Sequence, residues 1–435
     1  MDAKIKKNVA EQVDSVGQGS KLYRYSQLAL LVIAAGAIYP VLYLRQLYQS
    51  SMLVGLGIDD MQLGYLYSGL GWALVLSYIP SGWLADRVPA KVLISFSLLG
   101  TGALALWYAT FPSFRYLLLI FIGFGLTTGL TFWAALLKRL KSLATKEEQG
   151  RFFGFLDGGR GLVEATLATL VYKLFTHYTK VEGQTLGEGF QHVIHVYAYL
   201  CLTLGLIVAI LPSPSAPRQL DEVAQTKRGN LLSDLAMLSK IPELWLMAAI
   251  IFCGYHLFVV TYSFSAYLEL DGFGFAAAAA AGITTIKLWT RPFGGIGGGW
   301  LGDLFTNLRV LTVAIALATL GVIGLVAAPM LKSGVVAAGF VIFVGLMAYA
   351  IRGLYWAILD VCNVPVRVTG LAIGIVSVIG YSPDTYVPLL NGWLTQHFGG
   401  ALGYQLYYSY IAVVGVLGVI AACTLQKRIN RRESA

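Results

Sequence analysis

The sequence predicts an all-α membrane protein with twelve transmembrane helices in two six-helix bundles. Hydrophobic residues make up 57% of the 435 residues and charged residues only 12%, which is about half the charged fraction of a soluble chain. Twelve apolar runs are each long enough to cross a bilayer, which takes about 20 residues. Short motifs in the first half also recur in the second. Internal repetition in so apolar a chain is typical of transporters built from repeated bundles.

The apolar runs define the predicted spans, numbered here in chain order. They cover residues 26–53, 61–83, 91–111, 115–137, 151–174 and 192–212 in the first half, and 241–268, 275–301, 309–330, 335–361, 368–392 and 402–426 in the second. The predicted domains are a polar N-terminal segment (1–25), a first bundle (26–212), a linker (213–240), a second bundle (241–426) and a tail (427–435). The first segment is too polar for a cleavable signal peptide, so span 1 is expected to direct insertion.

The distribution of basic residues predicts the orientation in the membrane. The net charge is +9, and placing both termini in the cytoplasm puts most Lys and Arg residues on that side. Arg115, Lys173, Lys180 and Lys332 then fall outside. This positive-inside asymmetry predicts a multi-pass protein of the cell inner membrane and explains the basicity without a nucleic-acid partner. The cysteines lack metal-ligand or redox spacing, and we expect no metal and no cofactor.

The internal repeat is anchored by two copies of one motif. GWLAD at Gly82–Asp86 recurs as GWLGD at Gly299–Asp303, each at the end of an apolar run. Two further pairs follow in the same order, which are FWA at 132–134 with YWA at 355–357, and a GxxxG spacing at 150–154 with another at 370–374. The glycine permits close helix approach, and the aspartate suits the positive end of a neighbouring helix. The repeat therefore indicates two related halves.

The first motif in its longer form, GWLADRVPAK, resembles the loop signature between the second and third helices of the major facilitator superfamily. Pro89 stands where the family often has glycine. GWLGDLFTNLR is similar to the degenerate copy that the family keeps between helices 8 and 9. With twelve spans and a central polar loop, the resemblance covers essentially the whole chain. It implies the major facilitator fold, transport by alternating access, and a conformational role for the loop residues Gly82, Asp86, Gly299 and Asp303.

Within that superfamily the N-terminal half looks most like the organophosphate/phosphate antiporter group. Arg45, in the YLRQ stretch of span 1, lies where that group places one of its two phosphate-binding arginines. Arg160 in span 5 falls where the group has a functional histidine. Span 7 carries His256 but no arginine at the position of the group's second one. The resemblance therefore implies an anionic substrate without specifying phosphate.

Several basic residues lie within the predicted spans, namely Arg45, Arg160, Lys287, Arg291 and Arg352. Each costs about 2.5–3.5 kcal/mol at a helix centre on insertion scales, so each needs a structural or functional reason. Arg45 and Arg352 have no acid within a turn of their own helix, and Lys287 lies near mid-span. We expect these three to face a central cavity.

The other intramembrane charges have structural interpretations as well. Asp157, Arg160 and Glu164 share one helical stripe and are either an internal ion-paired triad or part of a site. Arg291 precedes Pro292, which also fits a helix-end role. The remaining candidates are Asp360, which can cap or pair near the end of span 10, and His256, which is either a packed polar residue or a proton relay.

Aromatic residues and a helix interruption accompany these charges. Tyr43, Tyr355 and Trp356 flank charged residues and either line a cavity or lie at a membrane interface. The stretch Tyr381–Asp384 contains Pro383 and interrupts span 11, as is common around transporter sites.

Together these residues predict a secondary active transporter of a small organic anion, a carboxylate or phosphate ester, since guanidinium groups bind both in bidentate fashion. The predicted substrate ligands are Arg45, Arg160, Arg352, Lys287, Tyr43, Tyr355 and Trp356, and the coupling or gating candidates are Asp157, Glu164, Asp360 and His256. Proton coupling or antiport is expected, in a monomer surrounded by lipid.

Other functions stay open on the sequence alone. A proton-coupled carrier of a neutral or cationic solute, such as a sugar or drug, would use the arginines only to pair with acids. A non-transporting nutrient sensor would need an output element, and the loops here are short. An enzyme is disfavoured because the sequence has no nucleophile elbow, metal-ligand spacing or phosphate-binding loop.

Overall fold

A computed structural model describes residues 21–143, 149–211, 231–365 and 368–433. Within these ranges the regular structure is helical, and no strand occurs in them. The helices confirm the expected architecture of twelve spans in two six-helix bundles.

The first bundle contains eight helical segments that make six spans. They are α1 (21–38), α2 (Arg45–Leu56), α3 (Asp60–Arg87), α4 (Ala90–Tyr108), α5 (Phe114–Gly125), α6 (Ala134–Leu143), α7 (Gln149–Thr176) and α8 (Leu186–Ile210). Segments α1 and α2 form span 1. Segments α5 and α6 form span 4, joined by a π-helical stretch at Leu126–Trp133, and a short π-helical turn at His177–Val181 extends α7.

The second bundle follows a short helix. Helix α9 (Leu231–Ser239) lies within the predicted linker, whose residues 212–230 fall outside the described ranges. The bundle contains α10 (Pro242–Val259), α11 (Phe264–Leu268), α12 (Ala277–Phe305), α13 (Asn307–Leu331), α14 (Gly334–Leu354), α15 (Thr369–Gly380), α16 (Pro383–Phe398) and α17 (Gly400–Glu433). A 3₁₀ turn at Val260–Ser263 joins α10 to α11 in span 7, and α15 and α16 form span 11. A second 3₁₀ segment, Ala357–Cys362, follows α14.

Seven helical segments among the described residues are apolar and long enough to cross a membrane by length and composition alone. The spans that do not meet this standard are 1, 2, 5, 8 and 11. Spans 1 and 11 are each broken into two helices, while spans 5 and 8 carry charged residues in their middle. Every one of these five spans contributes to the cavity described below. Spans 4, 7 and 10, which do meet the standard, line the same cavity.

Two spans are interrupted beside a proline, span 1 at Pro40 and span 11 at Pro383, where the sequence predicts an interruption. The backbone turns at 39–44, around Pro40, before α2 begins. Span 11 turns between Gly380 and Pro383, and Pro383 then occupies the first turn of α16. Proline has no N–H to donate, so Pro383 loses no helical hydrogen bond in the first turn of α16. A proline alone does not break a span here, because Pro80 and Pro292 lie inside the continuous helices α3 and α12. Each break leaves polar backbone at the level of the cavity, where the membrane does not have to solvate it.

The two bundles pack together at one end of the molecule. We call the end with residues 21 and 433 the terminal face and the opposite end the far face. Toward the far face α3 lies against α16, and a Cβ added at Gly64 would be 2.8 Å from the carbonyl oxygen of Pro388. In the same region α7 packs on α12, where Trp289 Nε1 donates to Thr169 Oγ1 over 2.9 Å. The far face is therefore closed, and buried residues of both bundles form one continuous core there.

Candidate substrate site

A central cavity lies between the bundles and contains about 900 Å³ of empty space, including solvent at its mouth. The inter-bundle contacts described here lie at the level of this cavity or on its far side, which indicates that its mouth is toward the terminal face. The wall is polar and rich in tyrosine. Its ionisable and amide side chains are Tyr39, Tyr43, Gln46, Tyr78, Arg160, Glu164, Tyr255, Tyr262, Arg291, Tyr349, Arg352, Tyr381 and Asp384.

Arg160 on α7 and Arg352 on α14 enter the cavity from different bundles. The Arg160 guanidinium carbon lies 5.0 Å from the ring centroid of Tyr39 and 5.5 Å from that of Trp133. The corresponding carbon of Arg352 lies 4.2 Å from the ring of Phe258. Among the described residues neither guanidinium has a hydrogen-bond acceptor or an ion-pair partner, and Arg160 Nε is a buried donor without an acceptor. Each of these two guanidinium groups lies against an aromatic face.

Arg291 and Glu164 form an ion pair across the two bundles. Arg291 belongs to α12 and Glu164 to α7, and the side chains are only 12% and 14% exposed. The alternative helix-end role for Arg291 is therefore wrong, because its guanidinium reaches a carboxylate at the cavity wall. The internal triad on α7 is also absent, since Glu164 pairs with the opposite bundle and not with Arg160.

Lys287 is fully buried, and its ammonium does not line the cavity. Its Nζ donates to Gln46 Oε1 over 3.3 Å, and Gln46 is the cavity-lining group. The aliphatic stem packs against Gly345 of α14. Lys287 thus contacts the cavity through an amide on the opposite bundle.

Arg45 lies on the far side of the cavity and is not part of its wall, contrary to expectation. The side chain is 4% exposed. Its Nε donates to Gln49 Oε1 over 3.1 Å, and Gln49 Nε2 donates to Asp60 Oδ1 over 2.9 Å. Ser265 of the second bundle donates to the Arg45 carbonyl oxygen over 3.1 Å. The neighbouring Gln46 of α2 lines the cavity, whereas the hydrogen bonds of the Arg45 side chain direct it toward Gln49 and Asp60 at the closed far end.

Asp384 is a cavity residue that the sequence analysis did not select. Its side chain is buried, with 7% of the residue exposed, and Oδ2 accepts a hydrogen bond from the Tyr255 hydroxyl over 2.6 Å. The signal for it was present in the interruption at Pro383, which places the next residue in the first turn of α16 and at cavity level. The cavity wall then holds three guanidinium groups and two carboxylates, an excess of one positive charge.

The three predicted aromatic ligands divide into a wall residue and two supporting residues. Tyr43 lines the cavity and stacks on Tyr262 with ring centroids 4.9 Å apart. Tyr355 and Trp356 are outside the wall. The Trp356 indole donates to the Tyr381 hydroxyl over 3.0 Å, and the Tyr355 hydroxyl lies 3.1 Å from it. They therefore orient Tyr381, which does line the cavity.

The remaining coupling candidates lie away from the cavity wall or outside the described side chains. Asp157 is exposed on α7. His256 is buried behind the wall, where Nδ1 donates to the Phe252 carbonyl oxygen and Nε2 lies 2.8 Å from the hydroxyl of Tyr386. With Nδ1 protonated, neutral His256 accepts from tyrosine at Nε2 and packs as a structural group. The Asp360 side chain is not among those described.

The two loop motifs lie at the terminal face. Gly82 and Gly299 each have open space where a Cβ would be, so the close helix approach expected there is not present in this state. Close approach occurs instead at Gly302, where a Cβ would overlap the Asn307 side chain. Asp303 is exposed, and the Asp86 side chain falls outside the described ones.

Comparison with known proteins identifies the family. The Major Facilitator Superfamily model matches residues 27–386. The inner membrane protein YqcE of Escherichia coli (strain K12) is 27% identical over 427 residues, covering 96% of this chain and 98% of that protein. A D-galactonate transporter of Escherichia coli O6:H1 is 24% identical over 399 residues, covering 86% of this chain and 89% of the relative.

The crystal structure of the nucleoside transporter NupG matches with a TM-score of 0.69 at 16% identity, over 93% of this chain and 99% of that one. At that identity the match shows the fold alone. The family model spans most of the chain, and the fold and inner-membrane relatives agree with it. The chain is a multi-pass inner-membrane transporter, not an enzyme, and belongs to the Major Facilitator Superfamily.

Proposed function

We propose that this protein is a secondary active transporter of small organic anions. The observation that carries the proposal is the pair Arg160 and Arg352, whose guanidinium groups enter one cavity from opposite bundles without an acidic partner among the described residues. A buried, unpaired cation is costly in a membrane protein. A carboxylate or phosphate ester would supply the missing acceptors through bidentate hydrogen bonds.

The rest of the wall suits a hydroxylated anion. Seven tyrosines and Gln46 surround the two arginines, and phenol and amide groups both donate and accept hydrogen bonds. A sugar acid combines a carboxylate with several hydroxyls and matches this mixture. The similarity to a D-galactonate transporter supports the same class. A phosphate ester of a small polyol has the same two features and is the second class of anion that the wall fits.

The arrangement also suggests how access alternates. With both termini in the cytoplasm, as the basic residues favour, the cavity faces the cytoplasm and the closed far face is periplasmic. Substrate bound between Arg160 and Arg352 would draw α7 and α14 together and favour closure on the cytoplasmic side. Opening of the far face then requires separation of α3 from α16 and of α7 from α12. The Arg291–Glu164 pair lies at this second contact and would act as part of the gate.

A competition experiment tests the proposal against transport of a neutral solute. Purified protein in proteoliposomes is assayed for uptake of labelled D-galactonate with excess unlabelled D-glucarate, glycerol 3-phosphate, D-galactose or a nucleoside, with and without a pH gradient. We expect competition by the anions and none by the neutral compounds. Uptake of a neutral solute that Arg160→Gln and Arg352→Gln leave unchanged would overturn the proposal.

A further inference from the structure

Asp384 differs from the other acid in the cavity wall, Glu164, in having no cationic partner. Glu164 forms an ion pair with Arg291. Asp384 accepts one hydrogen bond from the Tyr255 hydroxyl, and no Lys or Arg of the described residues lies within ion-pair distance of it. A carboxylate without a bonded cation is the acid whose charge an intramembrane site compensates least. Asp384 is therefore the cavity group best placed to exchange a proton.

The ionisable groups that interact electrostatically with Asp384 come from several elements around it. All but one of them are phenols, and the exception is the guanidinium of α14. They are Tyr43 from the turn after α1, Tyr78 from α3, Tyr255 from α10, Tyr262 from the 3₁₀ turn and Arg352. Arg352 is thus the cation that interacts electrostatically with Asp384. A proton on Asp384 raises the excess positive charge of the wall from one to two, which strengthens attraction for an anion at Arg352.

Asp384 also lies where the two bundles meet. A Cβ at Gly71 of α3 would overlap the carbonyl oxygen of Asp384, and the Ser68 hydroxyl donates to the neighbouring Thr385 carbonyl oxygen. This contact between α3 and α16 is one of those that close the far face. A change in charge at Asp384 therefore occurs within one residue of the surface that must separate when the far face opens.

We propose that Asp384 is the proton site of this transporter and that its protonation is coupled to anion binding at Arg352. This rests on the proposed function. The step is a simple protonation in which the carboxylate takes one proton from the aqueous phase to become a carboxylic acid and returns it to the other side. Tyr255 is a positioning residue, since its hydroxyl donates to the ionised form and lowers the tendency of Asp384 to take the proton.

Proton linkage at one site makes anion affinity depend on pH in a defined way. The protonated form binds the anion more tightly, so affinity is high at low pH. Affinity falls by up to about tenfold per pH unit between the pH at which Asp384 ionises in the free protein and the higher pH at which it ionises in the anion complex. Asp384→Asn mimics the neutral form of the acid. The anion affinity of this variant should stay high and should not change with pH over the same range. Tyr255→Phe keeps the acid, so its anion affinity should still depend on pH. The midpoint of that dependence should lie at a higher pH than in wild type.

The experiment is equilibrium binding of D-galactonate, D-glucarate and glycerol 3-phosphate to the purified full chain between about pH 5 and pH 9, with a pH dye to record proton uptake on binding. The expected result is a pH-dependent affinity with proton uptake in wild type and neither in Asp384→Asn. If Asp384→Asn does not fold, two other measurements provide the test. They are the proton uptake of wild type on anion binding and the midpoint of the pH dependence in Tyr255→Phe. Anion binding with no proton uptake by wild type, or unchanged pH dependence in Asp384→Asn, would overturn the inference while leaving the proposed function intact. Failure of all three anions to bind would overturn the proposed function itself.

Discussion

Arg291 on α12 and Glu164 on α7 form an ion pair that joins the two bundles, although 127 residues separate them in the sequence. Both side chains are largely buried at the cavity wall. The pair joins α7 to α12 at the level of the cavity. Its two charges cancel, which leaves Arg160 and Arg352 as the guanidinium groups of the cavity wall without an ion-pair partner among the described residues.

Removal of either partner of this pair should destabilise the closed far face. Glu164→Gln or Arg291→Gln leaves a partly buried charge without its partner, at an expected cost of about 1–3 kcal/mol. Thermal unfolding in detergent measures this loss. The exchanged double variant, Glu164→Arg with Arg291→Glu, should recover part of it, and the control Asp157→Asn removes an exposed acid of α7 and should melt like wild type. Equal melting temperatures for all variants would show that the pair does not hold the bundles.

The contact between α3 and α16 gives a matched pair of glycine substitutions. Gly71→Ala places a methyl group against the Asp384 carbonyl oxygen, whereas Gly82→Ala on the same helix enters open space. Overpacking of this kind costs about 1–3 kcal/mol. Spin labels at the far ends of α3 and α16 should report a longer distance in Gly71→Ala and a wild-type distance in Gly82→Ala. A wild-type distance in both would mean that this contact does not hold the far face closed.

Glu269, in the turn after α11, should make closure of the far face sensitive to pH. Burial raises the pKa of Glu269 to about 7, and the Ser50 hydroxyl of the first bundle opposes that shift by hydrogen bonding to the carboxylate. An exposed glutamate titrates near pKa 4.3, so the closed form binds the proton more tightly than an open one. Stability of closure is therefore full below about pH 4.3 and declines as the pH rises through about 7.

Spin-label distances across the far face, recorded over this pH range, measure the effect. The open fraction should increase with pH in wild type, and Glu269→Gln should remove most of that increase. A pH response of wild-type size in Glu269→Gln would assign the response to another group.

Arg45 should affect the transport cycle more than substrate binding. It lies outside the cavity wall, in a chain of hydrogen bonds with Gln49 and Asp60. Arg45→Gln should slow uptake by disturbing the far end, while D-galactonate affinity at the cytoplasm-facing cavity stays within about twofold of wild type, because the wall contacts are unchanged. Equilibrium binding and initial uptake rates separate the two effects. A parallel loss of affinity would place Arg45 in the binding site after all.

The fold was accessible from the sequence because hydropathy and internal repetition both report on it. Apolar runs define the spans, and prolines lie at the breaks in spans 1 and 11, although Pro80 and Pro292 lie within continuous helices. The structure moved several boundaries. Helix α9 occupies part of the predicted linker, and α17 continues to Glu433, beyond the predicted span end at 426.

The site was only partly accessible, since the sequence shows which charges are in the membrane but not which of them meet. Arg160 and Arg352 line the cavity. The partner of Arg291 was not foreseen, because the pairing depends on how two distant helices are juxtaposed. Arg45 was misplaced because its side chain is directed toward Gln49 and Asp60, while the adjacent Gln46 on the same helix lines the cavity. Asp384 was missed because its importance depends on Tyr255 and Gly71, which lie far from it in the chain.

The most direct test of the account is equilibrium binding of D-galactonate to wild type, Arg160→Gln and Arg352→Gln, with Arg45→Gln as a charge-matched control outside the cavity. Each cavity substitution removes charge-assisted hydrogen bonds worth about 1.5–3 kcal/mol, so each should weaken binding about 10- to 150-fold. Arg45→Gln should bind as wild type does. Wild-type affinity in both cavity variants would contradict the claim that these two arginines bind the anion.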